Sequence, residues 1–190
     1  MEVKTIAVIG AGAVGRGIAY LAMRSGFRTI LEDISADRLD QGVAWIREGL
    51  EALAAQNKLT QEQKQCALDQ LTILRSIEDA CREADLLIEA APEDLEVKLE
   101  IFTLFDKFSK PHAILASNTP SFSIADLAAI TFRPEDCIGM RFQDPTADAA
   151  LLEIIRAPGT SDSAVAACLE VGRRMGRKII VFSERPSKSV

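Results

Sequence analysis

Apolar positions along the chain alternate between short continuous runs and helical spacing. Residues 4–10, "KTIAVIG", are an apolar run stopped by glycine, which predicts a buried strand. Residues 13–26 carry apolar side chains at helical spacing and end in Gly26, a helix-terminating residue. A second strand follows over 27–34, then a long amphipathic helix over 35–56 with Ser35 as N-cap. Thr60 and Gln63 have capping-box spacing, so another helix starts near 60. The two helices predict a hairpin at about 35–68, inserted into the strand–helix alternation. A weak strand over 71–76 and a short helix lead to a strong buried strand over 84–92. An amphipathic helix (94–109), a strand (113–118) and a short helix (123–130) come next. The remainder reads as strands "CIGMRF" and "LLEIIRAP", a helix over "SDSAVAACLEVGRRMG" and a last strand "KIIVFS". Strands alternating with helices predict an α/β fold with a mostly parallel sheet. Without repeats or a linker, 190 residues make one domain, 1–190.

Composition narrows the setting. Hydrophobic residues are 48% and charged residues 26%, ordinary for a globular domain. A net charge of −6 argues against nucleic acid or an anionic membrane as partner. No apolar run is long enough to span a bilayer, and the N-terminus lacks the regions of a signal peptide. Cys66, Cys81, Cys137 and Cys168 lie far apart and read as buried, reduced thiols of a cytoplasmic protein. With one histidine, His112, no metal site is expected.

The sharpest motif is Gly10-Ala11-Gly12-Ala13-Val14-Gly15, a G-x-G-x-x-G loop between a strand and a helix. Gly10 permits the tight turn, Gly12 lets backbone approach a pyrophosphate, and Gly15 lets helix pack on sheet. The helix N-terminus supplies free N–H groups for the phosphates. Asp33 ends the next strand at the spacing of an acid that binds a ribose 2′-hydroxyl. Its charge would repel a 2′-phosphate, which favours NAD over NADP. This order predicts a Rossmann-type doubly wound sheet. Strand alternation turns Glu32 away from Asp33's side, and solvent exposure is expected for it.

"IAVIGAGAVGRGIA", "LLIEAAPEDLEVK", "PHAILASNTPSFSI", "GMRFQDP" and "LLEIIRAPGTSD" together resemble the N-terminal NAD-binding domain of the 3-hydroxyacyl-CoA dehydrogenase family. The resemblance covers essentially the whole chain. It implies further cofactor contacts at Ala90, Glu93, Lys98 and Asn118. For Lys98, one turn into a helix, a solvated surface lysine is the competing expectation.

The same resemblance locates the chemistry. The family motif reads G-x-H-F-F-N-P where this chain has Gly139-Met140-Arg141-Phe142-Gln143-Asp144-Pro145. The family histidine moves the proton of the 3-hydroxyl, and a glutamate, here Glu153, holds it. The family's S-N-T-S is Ser117-Asn118-Thr119-Pro120, so its substrate serine is Pro120. Arg141 and Glu153 are therefore the candidate catalytic positions of an altered site. Arginine stays protonated to a pKa above about 12 and cannot serve as a base. An ion pair of Arg141 with Glu153 or Asp144 is expected instead. No replacement base stands out. His112 precedes its strand and lies about 15 Å from the edge where NAD binds, at about 3.3 Å per residue; it reads as a turn residue. Tyr20 reads as packing, and Ser121 is one step from the lost serine.

A helical C-terminal domain follows in the family, and here it is expected to be absent. The chain stops just after Pro186, which matches a proline of the family's interdomain stretch, with Ser187 in place of a glycine. The expected ligands are NAD and an acyl-CoA or another 3-oxo or 3-hydroxy acid. Self-association, or a partner chain supplying the missing domain, is the expected assembly. Catalysis by the family's route is expected to be impaired or lost, with a non-catalytic NAD-binding module as the alternative.

Overall fold

A computed structural model describes residues 2–184. The polar end around Pro186 and Ser187, matched above to the family's interdomain stretch, lies outside the described residues. In chain order the elements are β1 (Thr5–Ile9), α1 (Ala13–Arg24), β2 (Arg28–Glu32), α2 (Ala36–Ala55), α3 (Gln61–Asp69), β3 (Leu71–Leu74), α4 (Ile77–Glu83) and β4 (Leu86–Glu89). Then come α5 (Leu95–Phe108), β5 (Ile114–Ser117), α6 (Ile124–Ala128), β6 (Cys137–Phe142), β7 (Leu151–Arg156), α7 (Asp162–Arg174) and β8 (Lys178–Ser183).

Among the described residues the strands form one sheet in the order β3-β2-β1-β4-β5-β6-β7-β8. The first six are parallel, and β7 turns antiparallel to β6. The chain therefore winds outward from β1 in both directions. The strand order reverses between β1 and β4, which opens a crevice at their carboxyl ends, where ligands bind in such sheets.

Helices cover both faces of the sheet. On one side α1, α2 and α7 bury Ile18, Met23, Ile46, Leu50 and Cys168 against Val8, Leu31 and Ile138. On the other, α4, α5 and α6 bury Cys81, Phe102, Phe105 and Leu127 against Ile9, Leu87 and Leu115. The predicted hairpin is present as α2 and α3, with Ser35 capping the first and a complete Thr60–Gln63 capping box on the second. Tyr20 is a packing residue, with its ring edge-on to Trp45 at 5.6 Å.

Two expectations fail here. Cys66 is exposed, because α3 turns most of its surface to solvent; the other three cysteines are buried. Glu32 is only 3% exposed. Alternation does turn it away from Asp33's side, but that side lies beneath the α4–α5 layer. In a parallel sheet covered on both faces, neither side of a strand meets solvent.

Candidate cofactor site

The glycine loop has the backbone that its sequence demands. Gly10 sits at φ +107°, and its N–H donates to the Glu32 carbonyl at 2.8 Å. A Cβ on Gly10 would lie 2.7 Å from the Ala90 carbonyl oxygen, and one on Gly15 would lie 1.8 Å from the Gly10 carbonyl oxygen. A Cβ on Gly12 would meet nothing within 4 Å. Gly10 and Gly15 are thus required by close packing, and Gly12 by the space kept open above it.

The helix that starts there is unlike its neighbours. Gly12 is the N-cap of α1 and makes no side-chain cap, and no acid lies in the first turn. The other α-helices are capped by Ser35, Thr60, Ser76, Asp94, Ser123 and Ser161. The first N–H groups of α1 are therefore left facing outward beside open space, with the dipole's positive end behind them.

Asp33 pins this arrangement. One carboxylate oxygen accepts from the Ala11 N–H and the other from the Ser35 N–H, both at 2.9 Å. Each oxygen keeps a further lone pair for a ribose hydroxyl. A cavity of about 630 Å³ runs past Gly10, Gly12, Val14, Asp33 and Ala90 and between α4 and α5 to Ile101. Loop, uncapped helix, acid and cavity fit a dinucleotide. Gly10, Gly12, Val14, Gly15, Asp33 and Ala90 are gathered at this one place.

Glu93, Lys98 and Asn118 lie further along the carboxyl edge, and Lys98 is not the solvated lysine of the competing expectation. Lys98 is 1% exposed. Its Nζ reaches Glu89 Oε1 at 2.7 Å, Glu93 Oε2 at 3.3 Å and the Ala91 carbonyl at 3.3 Å. The other Glu89 oxygen accepts from the Ser117 hydroxyl at 2.5 Å. Glu93 also accepts from Thr119 Oγ1 at 2.5 Å. Burial pushes the Glu93 carboxyl up, but Thr119 and Lys98 outweigh it and hold it below its ordinary range. Glu89 and Ser117 were missed by sequence reasoning. The available signal was an acid closing the apolar run "LLIE", since a buried carboxylate demands a partner. Asn118 Oδ1 accepts from the Phe142 N–H at 2.9 Å and ties β5 to β6. Its amide donates to nothing among the described residues.

Arg141 lies at the same edge, opposite Glu153 in the β6–β7 ladder. Its Nε donates to the Thr119 carbonyl at 2.6 Å, while its Nη1 stays 3.9 Å from Glu153. The expected pair with Glu153 is thus present only at the long end of ion-pair range, and the other Glu153 oxygen accepts from Gln143 Nε2 at 2.9 Å. The expected pairing with Asp144 does not form. Asp144 accepts from the Thr146 hydroxyl and N–H and from the Ala147 N–H, and these bonds hold its carboxyl below the ordinary range. Pro120 and Ser121 are exposed. His112 occupies an exposed turn before β5, at the opposite end of that strand from Asn118.

Comparisons with known proteins agree with the geometry. Residues 5–185 match the family model described as 3-hydroxyacyl-CoA dehydrogenase, NAD binding domain. A 3-hydroxybutyryl-CoA dehydrogenase of Bradyrhizobium diazoefficiens is 40% identical over 97% of this chain and 63% of its own length. A probable 3-hydroxybutyryl-CoA dehydrogenase of Bacillus subtilis is 34% identical over 98% of this chain and 64% of its own. The crystal structure of an (S)-3-hydroxybutyryl-CoA dehydrogenase from Ralstonia eutropha superposes with a TM-score of 0.91 at 35% identity, over 97% of this chain and 65% of that one. The chain thus spans a little under two-thirds of the length of these relatives. With the crevice, its uncapped helix and its acid all in place, the match settles the cofactor as NAD, and the chain belongs to the 3-hydroxyacyl-CoA dehydrogenase family through its NAD-binding domain.

Proposed function

We propose that this chain binds NAD or NADH at the β1–β4 crevice and does not by itself carry out the family's 3-hydroxyacyl-CoA dehydrogenation. When bound, NAD supplies a nicotinamide ring that accepts a hydride. The chain's part in holding it falls to the loop N–H groups at Gly12 and Val14 for the pyrophosphate and to Asp33 for the ribose. Ala90 lines the crevice beside them. Glu93, through Thr119 and Lys98, and Asn118, through its unpartnered amide, bound the edge where the nicotinamide half would extend.

One observation carries the loss of chemistry. At the position of the proton-transfer histidine stands Arg141, a guanidinium already donating to the Thr119 carbonyl at 2.6 Å. A proton leaving a 3-hydroxyl has no acceptor there. Glu153 keeps the orienting acid's position and orients Gln143 instead. The names of the relatives support an acyl-CoA or other 3-oxo or 3-hydroxy acid as the ligand class. Four unpaired cysteines suit a reducing, cytoplasmic setting.

The test is an NADH titration followed by turnover of acetoacetyl-CoA in the same sample. Binding without turnover is expected. Turnover by the unaltered chain would sink the non-catalytic reading, and the absence of any dinucleotide binding would sink the reading as a whole. Arg141→His with Pro120→Ser, assayed with the C-terminal region of a relative, is expected to restore activity.

A further inference from the structure

Glu32 is a buried acid that the cofactor-binding roles above leave without a task. Its side chain leaves β2 on the face opposite Asp33 and forms part of the wall of the same cavity, with Ile34, Arg38, Ile77 and Ile101 around it. It is 3% exposed, and no hydrogen bond or ion pair reaches its carboxyl among the described residues. What solvent contact it keeps opens into the cavity.

The charged and titratable groups around it give it little help. Asp33, the next residue along the chain, adds a like charge. From α4, the Cys81 thiol lies in the same layer and is pushed up to about 12, first by burial and then by Glu32. Arg38 of α2 and Glu100 of α5 line the cavity without bonding it. Arg75, after β3, gives its guanidinium to the Ile34 carbonyl at 3.4 Å. Burial and then Asp33 raise the Glu32 carboxyl to about 7.

We propose that Glu32 is a ligand-facing acid of the dinucleotide site, and that closing the cavity over it couples dinucleotide binding to uptake of a proton. The inference rests on NAD occupying this cavity. The bound molecule fills the cavity that Glu32 lines, and it brings the negative charge of a pyrophosphate to the adjoining loop. Both changes disfavour the carboxylate and favour the acid. The proton comes from solvent and ends on the Glu32 carboxyl. NADH itself has no group that titrates near neutrality, so the uptake reports on the protein.

The experiment is NADH calorimetry from pH 6.5 to 8.5, in two buffers of different ionisation enthalpy. Proton uptake near pH 7.5 is expected, with affinity falling about sixfold across the range for a one-unit rise in the bound state. Glu32→Gln and Glu32→Met are expected to remove both the uptake and the slope. The wild-type uptake is read without any variant, so poor folding of a substitution does not shield the proposal. Tight binding with no uptake, or an equal slope in both variants, overturns it. No NADH binding at any pH overturns the cofactor site itself.

Discussion

Arg141 and Glu153 face each other across the β6–β7 ladder, yet their charged groups stand 3.9 Å apart while Arg141 Nε donates to Thr119 at 2.6 Å. Directly opposed residues of an antiparallel pair are placed to interact. Here the guanidinium is drawn instead toward β5, and Glu153 bonds Gln143. The Arg141–Glu153 pair is a loose, partly solvated contact. Glu153→Gln is therefore expected to change stability by less than about 1 kcal/mol, as for other open ion pairs. The urea midpoint checks this. A loss of several kcal/mol would mean that the pair closes in solution.

Lys98 is the opposite case. Its side chain is 2% exposed and that of Glu89 is 0% exposed, at an Nζ–oxygen distance of 2.7 Å. Removing one partner leaves the other buried and uncompensated. Lys98→Met is expected to cost about 3–5 kcal/mol. Glu89→Gln combined with Lys98→Met should recover much of it, because the amide needs no counter-charge. Denaturant unfolding of both variants decides the point. Equal losses in the single and double variants would place the cost in packing rather than in charge.

The glycines of the loop separate folding from binding. At Gly15 an added Cβ would lie 1.8 Å from a backbone oxygen, and backbone has to move. Gly15→Ala is expected to destabilise the fold by about 1–3 kcal/mol or more. At Gly12 the space is open, so Gly12→Asp should fold normally. Its carboxylate would then face the bound pyrophosphate and compete for the α1 N–H groups. NADH affinity is expected to fall at least tenfold with little change in melting temperature, read by titration and thermal unfolding side by side.

Local patterns carried most of the fold into the sequence. "KTIAVIG" before G-x-G-x-x-G, and caps such as Ser35 and Thr60, each report a decision made within a few residues. Asp33 was legible for the same reason, since its place at the end of β2 follows from spacing alone. Glu32, Glu89 and Lys98 were not legible in this way. Whether an acid at a strand end meets water depends on which helix later packs above it, and α4 and α5 are far away in the chain. Alternation placed Glu32 on the correct side but could not show that this side is roofed. For Lys98 the resemblance implied a cofactor contact, with a solvated surface lysine as the competing expectation, and neither could show that Glu89, from a neighbouring strand, is its buried partner. Asp144 misled in the other direction, because its own turn at Thr146 and Ala147 satisfies it locally.

Glu32 also leaves a mark on stability that needs no ligand. Burial, and then Asp33, raise its carboxyl from the ordinary value of 4.5 to about 7 in the folded chain. Below about pH 4.5 both folded and unfolded chains hold the proton, and the group costs the fold nothing on this account. Between about 4.5 and 7 the unfolded chain releases it while the folded chain keeps it, so stability falls as pH rises. Above 7 both states have released it, and the full penalty remains, about 3 kcal/mol for a shift of this size. Glu32→Gln carries no such penalty. Its stability relative to wild type is expected to climb by that amount from pH 5 to pH 8 and then level off, as measured by urea unfolding across the range. A difference that stays constant with pH would show that Glu32 ionises in the folded chain as freely as in the unfolded one.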